Sequence, residues 1–181
     1  MYFIKLILFL ALLSLSIIAP YFAYISYIPS YDEKYIEITP GESINQVVSK
    51  FSSHFKINKI FIKVLLLSED ISSFKVGEYS IKNKTIKEII SIMSKGDTVT
   101  YKFKIQEGST IYDIEKQINS SNLINDCSYL KCLESAFPYT EGILYPDTYF
   151  YKKNMKASEI LNKSYQRMNA FIQSLPLNNN S

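Results

Sequence analysis

The chain has 181 residues, 20% of them charged and 14% aromatic, with a net charge of +3. That composition excludes a disordered polymer and leaves room for one domain, or two small ones after a targeting segment. The lysines are scattered rather than gathered into a stripe, which argues against nucleic acid as a partner. The only histidine, His54, has no second ligand near it in sequence, so no metal and no cofactor is expected.

Residues 6–28 carry no charge. As a helix they would extend about 35 Å, enough to cross a bilayer core of roughly 30 Å. Pro20 lies inside, which membrane helices tolerate. Tyr21, Tyr24 and Tyr27 cluster at one end, as an interfacial aromatic belt would. Lys5 and the α-amine precede the segment, which favours the N-terminus inside and the bulk of the chain outside. The competing reading is a cleaved signal peptide. Its apolar stretch is normally about 7–15 residues and ends at a small-residue site, and Ala-x-Ala is absent here. Residues 1–30 are therefore expected to be an uncleaved anchor.

A faint repeat follows. Ile38-Thr39-Pro40-Gly41-Glu42-Ser43-Ile44 lines up with Ile105-Gln106-Glu107-Gly108-Ser109-Thr110-Ile111. Each copy predicts a strand that ends at a glycine turn, then a Ser or Thr cap and a helix of apolar periodicity. Ser43 with Gln46 has the form of a capping box, and Thr110 with Asp113 is a weaker relative. Between the copies, the pattern predicts a helix over 57–67, a strand over 76–81 and a helix opened by Thr85 and stopped by Gly96. A strand over 99–105 comes next. These elements make a small α+β unit over 34–103, continuing into a second unit at the Gly108 turn.

Residues 119–137 read as polar and then mildly helical, with Leu130, Leu133 and Phe137 as apolar positions. Cys127 and Cys132 stand five apart, and on a helix two such side chains do not share a face. Two free thiols are expected, and a bridge would need a loop there. A last helix over 158–173 places Leu161, Tyr165, Met168 and Ile172 on one stripe.

Before that helix stands Thr140-Glu141-Gly142-Ile143-Leu144-Tyr145-Pro146-Asp147-Thr148-Tyr149. A lone acid beside Ile143, Leu144 and Tyr145 is expected to lose water, which raises its pKa and equips it to donate a proton. The plainer reading is a surface turn punctuated by Gly142 and Pro146.

In this order the pieces resemble the endolytic murein transglycosylases, the YceG-like family. The resemblance rests on the apolar N-terminus, on Ile38-Thr39-Pro40-Gly41-Glu42-Ser43 and on Lys75-Val76-Gly77-Glu78-Tyr79-Ser80. It rests also on Ile105-Gln106-Glu107-Gly108 and on the run from Glu141 to Tyr149. It implies an α+β fold with a transmembrane helix in 1–30, a LysM-like subdomain in 31–103 and the N-terminal part of a catalytic domain in 104–181. It implies cleavage of the β-1,4 bond between N-acetylmuramic acid and N-acetylglucosamine without hydrolysis, leaving a 1,6-anhydro end. The C6 hydroxyl of the sugar is then the nucleophile, so one carboxyl suffices where a hydrolase needs two. Glu141 would serve as acid and then base. Asp147 would position the loop, and Tyr145 and Tyr149 would stack on sugar rings or fill core. Glu78 and Glu107, beside turn glycines, read as structural.

The implied partners are peptidoglycan glycan strands, the bacterial inner membrane through residues 6–28, and peptidoglycan synthases. The implied location is single-pass in that membrane with the bulk periplasmic. Family members continue with a further helix and a Gly-Leu-Pro-Pro-rich segment that these 181 residues do not contain. That implies a shortened, split or decaying copy, with a non-catalytic wall-binding scaffold as the alternative function.

Overall fold

The computed structural model describes residues 2–28, 34–52, 58–133 and 141–176. It opens on helix α1 (Tyr2–Ile25), long and apolar enough to cross a membrane and unburied along its most apolar window. The helix stops at Ile25, three residues short of Ile28, where the expected span ends. The expected aromatic belt is only partly free. The rings of Tyr21 and Tyr24 pack on Phe61 at 5.8 and 5.5 Å, and Ile25 is buried. The last turn of α1 has a protein partner, and that partner takes two of the three tyrosines.

By its contacts the chain divides into two units, residues 1–98 and 99–181. The first contains β1 (Tyr35–Ile38), α2 (Ile44–Ser52), α3 (Asn58–Ser68), β2 (Gly77–Ser80) and α4 (Ile86–Lys95). β1 and β2 are antiparallel, with Ile36 opposite Tyr79 and Ile38 opposite Gly77. The local signals act as the sequence suggests. The Ser43 N–H donates to Gln46 Oε1 at 2.7 Å, and the Gln46 N–H donates back to Ser43 Oγ at 3.3 Å, which starts α2. Thr85 and Glu88 make the same reciprocal pair at the start of α4. Gly96 closes α4 at φ +76°, a conformation a side chain would strain. The stripe Ile86, Ile89, Ile90 and Met93 is buried against Ile38, Val47, Ile62, Leu65 and Tyr79. Each such side chain is worth about 1.5–3 kcal/mol on burial, so this core outweighs any single cap.

The second unit contains β3 (Tyr101–Ile105), α5 (Ile111–Asn119), β4 (Asp147–Tyr151) and α6 (Ala157–Ser174). β3 pairs with β4, Phe103 opposite Tyr149 and Ile105 opposite Asp147. By its contacts and its pairing with β4, β3 groups with the residues after Thr98. Phe103, Ile114, Ile118, Ile143, Tyr149 and Leu161 form a core of its own. Both units run strand, glycine turn, capped helix, and later strand and helix. Gly41 at φ +86° and Gly108 at φ +77° make equivalent turns.

Between α5 and β4 only a short 3-10 turn (Ser128–Leu130) forms within the described part of the expected helical stretch. There the expectation of free thiols is corrected: Cys127 and Cys132 form a disulfide, with Cα atoms 4.9 Å apart. Tyr129 and Leu130 both adopt positive φ, +49° and +59°, so the segment turns back instead of coiling on as a helix. That reversal is the loop a bridge at this spacing requires. Phe137, Thr140 and His54 lie outside the described residues.

Candidate active site

Gly142 sets the geometry around Glu141. At φ +74° it reverses the chain, so that Glu141 stays on the surface while Ile143 and Leu144 turn into the core at 2% and 8% exposure. The expectation of an acid wrapped by its apolar neighbours is thereby corrected: Glu141 is exposed while Ile143 and Leu144 beside it are buried. Glu141 Oε1 accepts the backbone N–H of Ile111, the first residue of α5, at 3.3 Å. That N–H has no partner within its own helix, and helix N-termini favour anions. The adjoining Thr110 hydroxyl is already engaged with the Asp113 N–H at 3.2 Å.

Glu141 borders a cleft of about 560 Å³. Gln106, Glu107 and Gly108 of the repeat turn form one lip. Glu141 through Pro146 form the other, and Met168 and Phe171 of α6 add an apolar wall. Glu141 and Tyr145 thus meet at one cleft. Tyr145 is half-buried, edge to face with Phe171 at 5.8 Å. Its carbonyl accepts the hydroxyls of Ser164 at 3.1 Å and Tyr149 at 2.9 Å, which ties the loop to both α6 and β4. Tyr149 is 4% exposed and belongs to the core; it does not line this cleft.

Asp147 also stands outside the cleft lining. One carboxylate oxygen is paired with Arg167 Nη1, and the other accepts the Thr148 N–H at 2.6 Å. The Arg167 guanidinium, and after it that backbone N–H, hold the Asp147 carboxyl below its ordinary range. Arg167 also lies over the Tyr145 ring, 4.7 Å from its centroid, a cation–π distance. Sequence reasoning passed over Arg167. Its signal was available: it is the single arginine among 20 basic residues. Only its guanidinium can pair with a carboxylate and lie flat on a ring at once.

Glu115 was passed over as well. It sits on the buried side of α5, where its carboxylate accepts the Tyr129 N–H at 2.8 Å and the Asn125 and Asn119 amides at 2.9 and 3.3 Å. These bonds fix the disulfide loop that supplies Leu130 to the cleft. Asp126, in the same loop, accepts the Ser158 N–H at 2.9 Å and so caps α6 from a distance. Among the described residues no group of three or more His, Cys, Asp or Glu side chains is placed to hold a metal ion.

No curated protein matches this sequence. A model of the YceG-like family matches residues 36–181, which takes in nearly all of the chain beyond α1 and includes the Glu141 cleft. The chain belongs to the YceG-like family, the family of the murein transglycosylases.

Proposed function

We propose that the protein is a membrane-anchored endolytic lytic transglycosylase. It cuts the β-1,4 bond between N-acetylmuramic acid and N-acetylglucosamine in nascent glycan strands. The observation that carries this reading is the placement of Glu141, held by the N-terminus of α5 at the lip of a cleft with room for sugar rings. As general acid, Glu141 protonates the glycosidic oxygen as the bond from C1 to that oxygen breaks. As general base, it takes the proton of the C6 hydroxyl while O6 closes on C1. The carboxyl is regenerated, no water is consumed, and a 1,6-anhydro end is left. Acid–base help of this kind is worth on the order of 10²–10⁴ in rate.

The remaining residues position. Asp147 and Arg167 brace the turn after Gly142, and Tyr145 offers its ring to the cleft. In the first unit, the order β1–α2–α3–β2 suits a LysM-like wall-binding module. With α1 as a single-pass anchor in the bacterial inner membrane and its N-terminus cytoplasmic, both units meet peptidoglycan beside the synthases that make it.

The test is digestion of purified glycan strands by the full chain in detergent, scored by mass for 1,6-anhydro ends. Product from the wild type and none from a folded Glu141→Gln variant is expected. No product from folded wild-type protein overturns the enzyme and leaves the wall-binding scaffold. Wild-type yield from Glu141→Gln overturns the assignment of the acid.

A further inference from the structure

Next in the chain to Ile111 and Leu130, two tyrosines stand in the open. Tyr112 is 70% exposed and Tyr129 is 46% exposed. Their rings meet edge to face, with centroids 5.9 Å apart and planes at 72°. Together with Glu115, Lys116, Asn119 and Ser120 they line an open groove of about 460 Å³. We infer that this corner is a saccharide-binding subsite, which takes a β-1,4-linked N-acetylhexosamine ring on the face of one tyrosine with the other ring at its edge.

Three observations converge on it. Exposed aromatic rings in contact leave apolar faces to water, and such faces suit a ligand that is apolar on one side and polar at its rim. A pyranose has that shape: its C–H face stacks, and its hydroxyl and acetamide groups need polar partners. Lys116, Asn119 and Ser120 supply polar groups along the same groove.

Second, the presentation of Tyr129 comes at a backbone cost. It holds φ +49°, a region bulky residues rarely enter, and Leu130 beside it holds φ +59°. Strain of this kind persists only where the surroundings over-determine it, and it gathers at ligand sites. Here the Tyr129 N–H is held by buried Glu115, and the Cys127–Cys132 bridge closes the loop around it.

Third, the groove adjoins the Glu141 cleft through single peptide units. Ile111 and Leu130 line the cleft, and their chain neighbours Tyr112 and Tyr129 line the groove. A polymer cut at Glu141 has further rings to place, and this corner offers them an aromatic surface beside the cleft. The inference deepens the proposed function and rests on it for the identity of the polymer.

The test uses the full chain in detergent micelles with tyrosine rings isotopically labelled, titrated with a tetramer of β-1,4-linked N-acetylglucosamine. The ring resonances of Tyr112 and Tyr129 are assigned from Tyr112→Phe and Tyr129→Phe. Those resonances are expected to shift on titration. Tyr112→Ala and Tyr129→Gly are expected to weaken the association read at the remaining ring about tenfold. Tyr129→Gly also relieves the positive φ, so a folding defect does not mimic the loss. Rings that do not shift at saturating tetramer overturn the subsite, as does unchanged affinity in both truncated variants. Ring shifts in a chain that forms no anhydro ends would retain the subsite and overturn the lyase. Anhydro ends without ring shifts would do the reverse.

Discussion

Tyr149 repeats in the second unit what Tyr79 does in the first: each hydroxyl donates to the carbonyl four residues upstream, Tyr79 to Lys75 at 2.7 Å and Tyr149 to Tyr145 at 2.9 Å. The two residues occupy matching places on β2 and β4, opposite Ile36 and Phe103. In the first unit the bond anchors the approach to a strand. In the second it anchors the loop that carries Tyr145 to the cleft.

Tyr79→Phe is expected to cost about 1 kcal/mol, the net worth of one buried hydrogen bond. Tyr149→Phe is expected to cost less, because the Tyr145 carbonyl keeps the Ser164 hydroxyl. Urea unfolding followed by circular dichroism ranks the two, and a larger loss from Tyr149→Phe would contradict the shared-acceptor account.

Gly142→Ala isolates the chain reversal. No atom lies within 4 Å of an added Cβ, so the cost comes from holding φ at +74° and is about 1 kcal/mol. If the reversal is what sets Glu141 at the α5 N-terminus, anhydro-end formation falls by more than this loss of stability explains. Full activity in the alanine variant would show that the turn does not place the acid.

Glu115 ties stability to pH. The Tyr129 N–H, followed by the Asn125 and Asn119 amides and against the opposing effect of desolvation, holds its pKa below the ordinary 4.5. A carboxyl whose folded pKa is depressed contributes stability that is present above the unfolded value and is lost as pH falls through the folded one. Acid should therefore destabilise the second unit below about pH 4.5, more steeply in the wild type than in Glu115→Gln. Glu115→Ala, which strands the Tyr129 N–H, is expected to cost about 2 kcal/mol at neutral pH. Melts of the variants across pH 3–7 check both expectations.

Arg167→Ala should barely move the melting midpoint, because its pair with Asp147 is exposed and screened. It is expected to lower glycan cleavage about tenfold by releasing Tyr145 and the turn before β4, since small misplacements near a reacting bond are costly. Arg167→Lys should not restore the rate, for lysine cannot pair and lie on the ring together. Full activity in the lysine variant would remove Arg167 from the positioning scheme.

The elements legible in the sequence were those whose cause is local. Ser43 with Gln46, Thr85 with Glu88 and Thr110 with Asp113 start helices through residues three apart, and Gly41, Gly96 and Gly108 sit where the backbone needs positive φ. Strand partnership was less legible. Residues 99–105 read correctly as a strand, but alternation does not say which strand lies beside it, and β4 is more than forty residues away. The disulfide was hidden for a similar reason: it depends on positive φ at Tyr129 and Leu130, where no glycine announces it. At the candidate site, the motif singles out Glu141 as a candidate but says nothing of its surroundings. Its N–H partner comes from α5, thirty residues earlier, and Arg167 reaches Asp147 across twenty residues.

The docking of α1 has a mechanical meaning. Tyr21 and Tyr24 against Phe61, Ile25 within the core and the Ile86 N–H on the Tyr27 carbonyl weld the helix end to the first unit. A slack tether would let that unit roam through a hemisphere above the bilayer. A weld would make the helix a mast instead: if α1 spans a bilayer as proposed, the first unit would be held at a set altitude, and a lean of the mast would pass to β1 and β2.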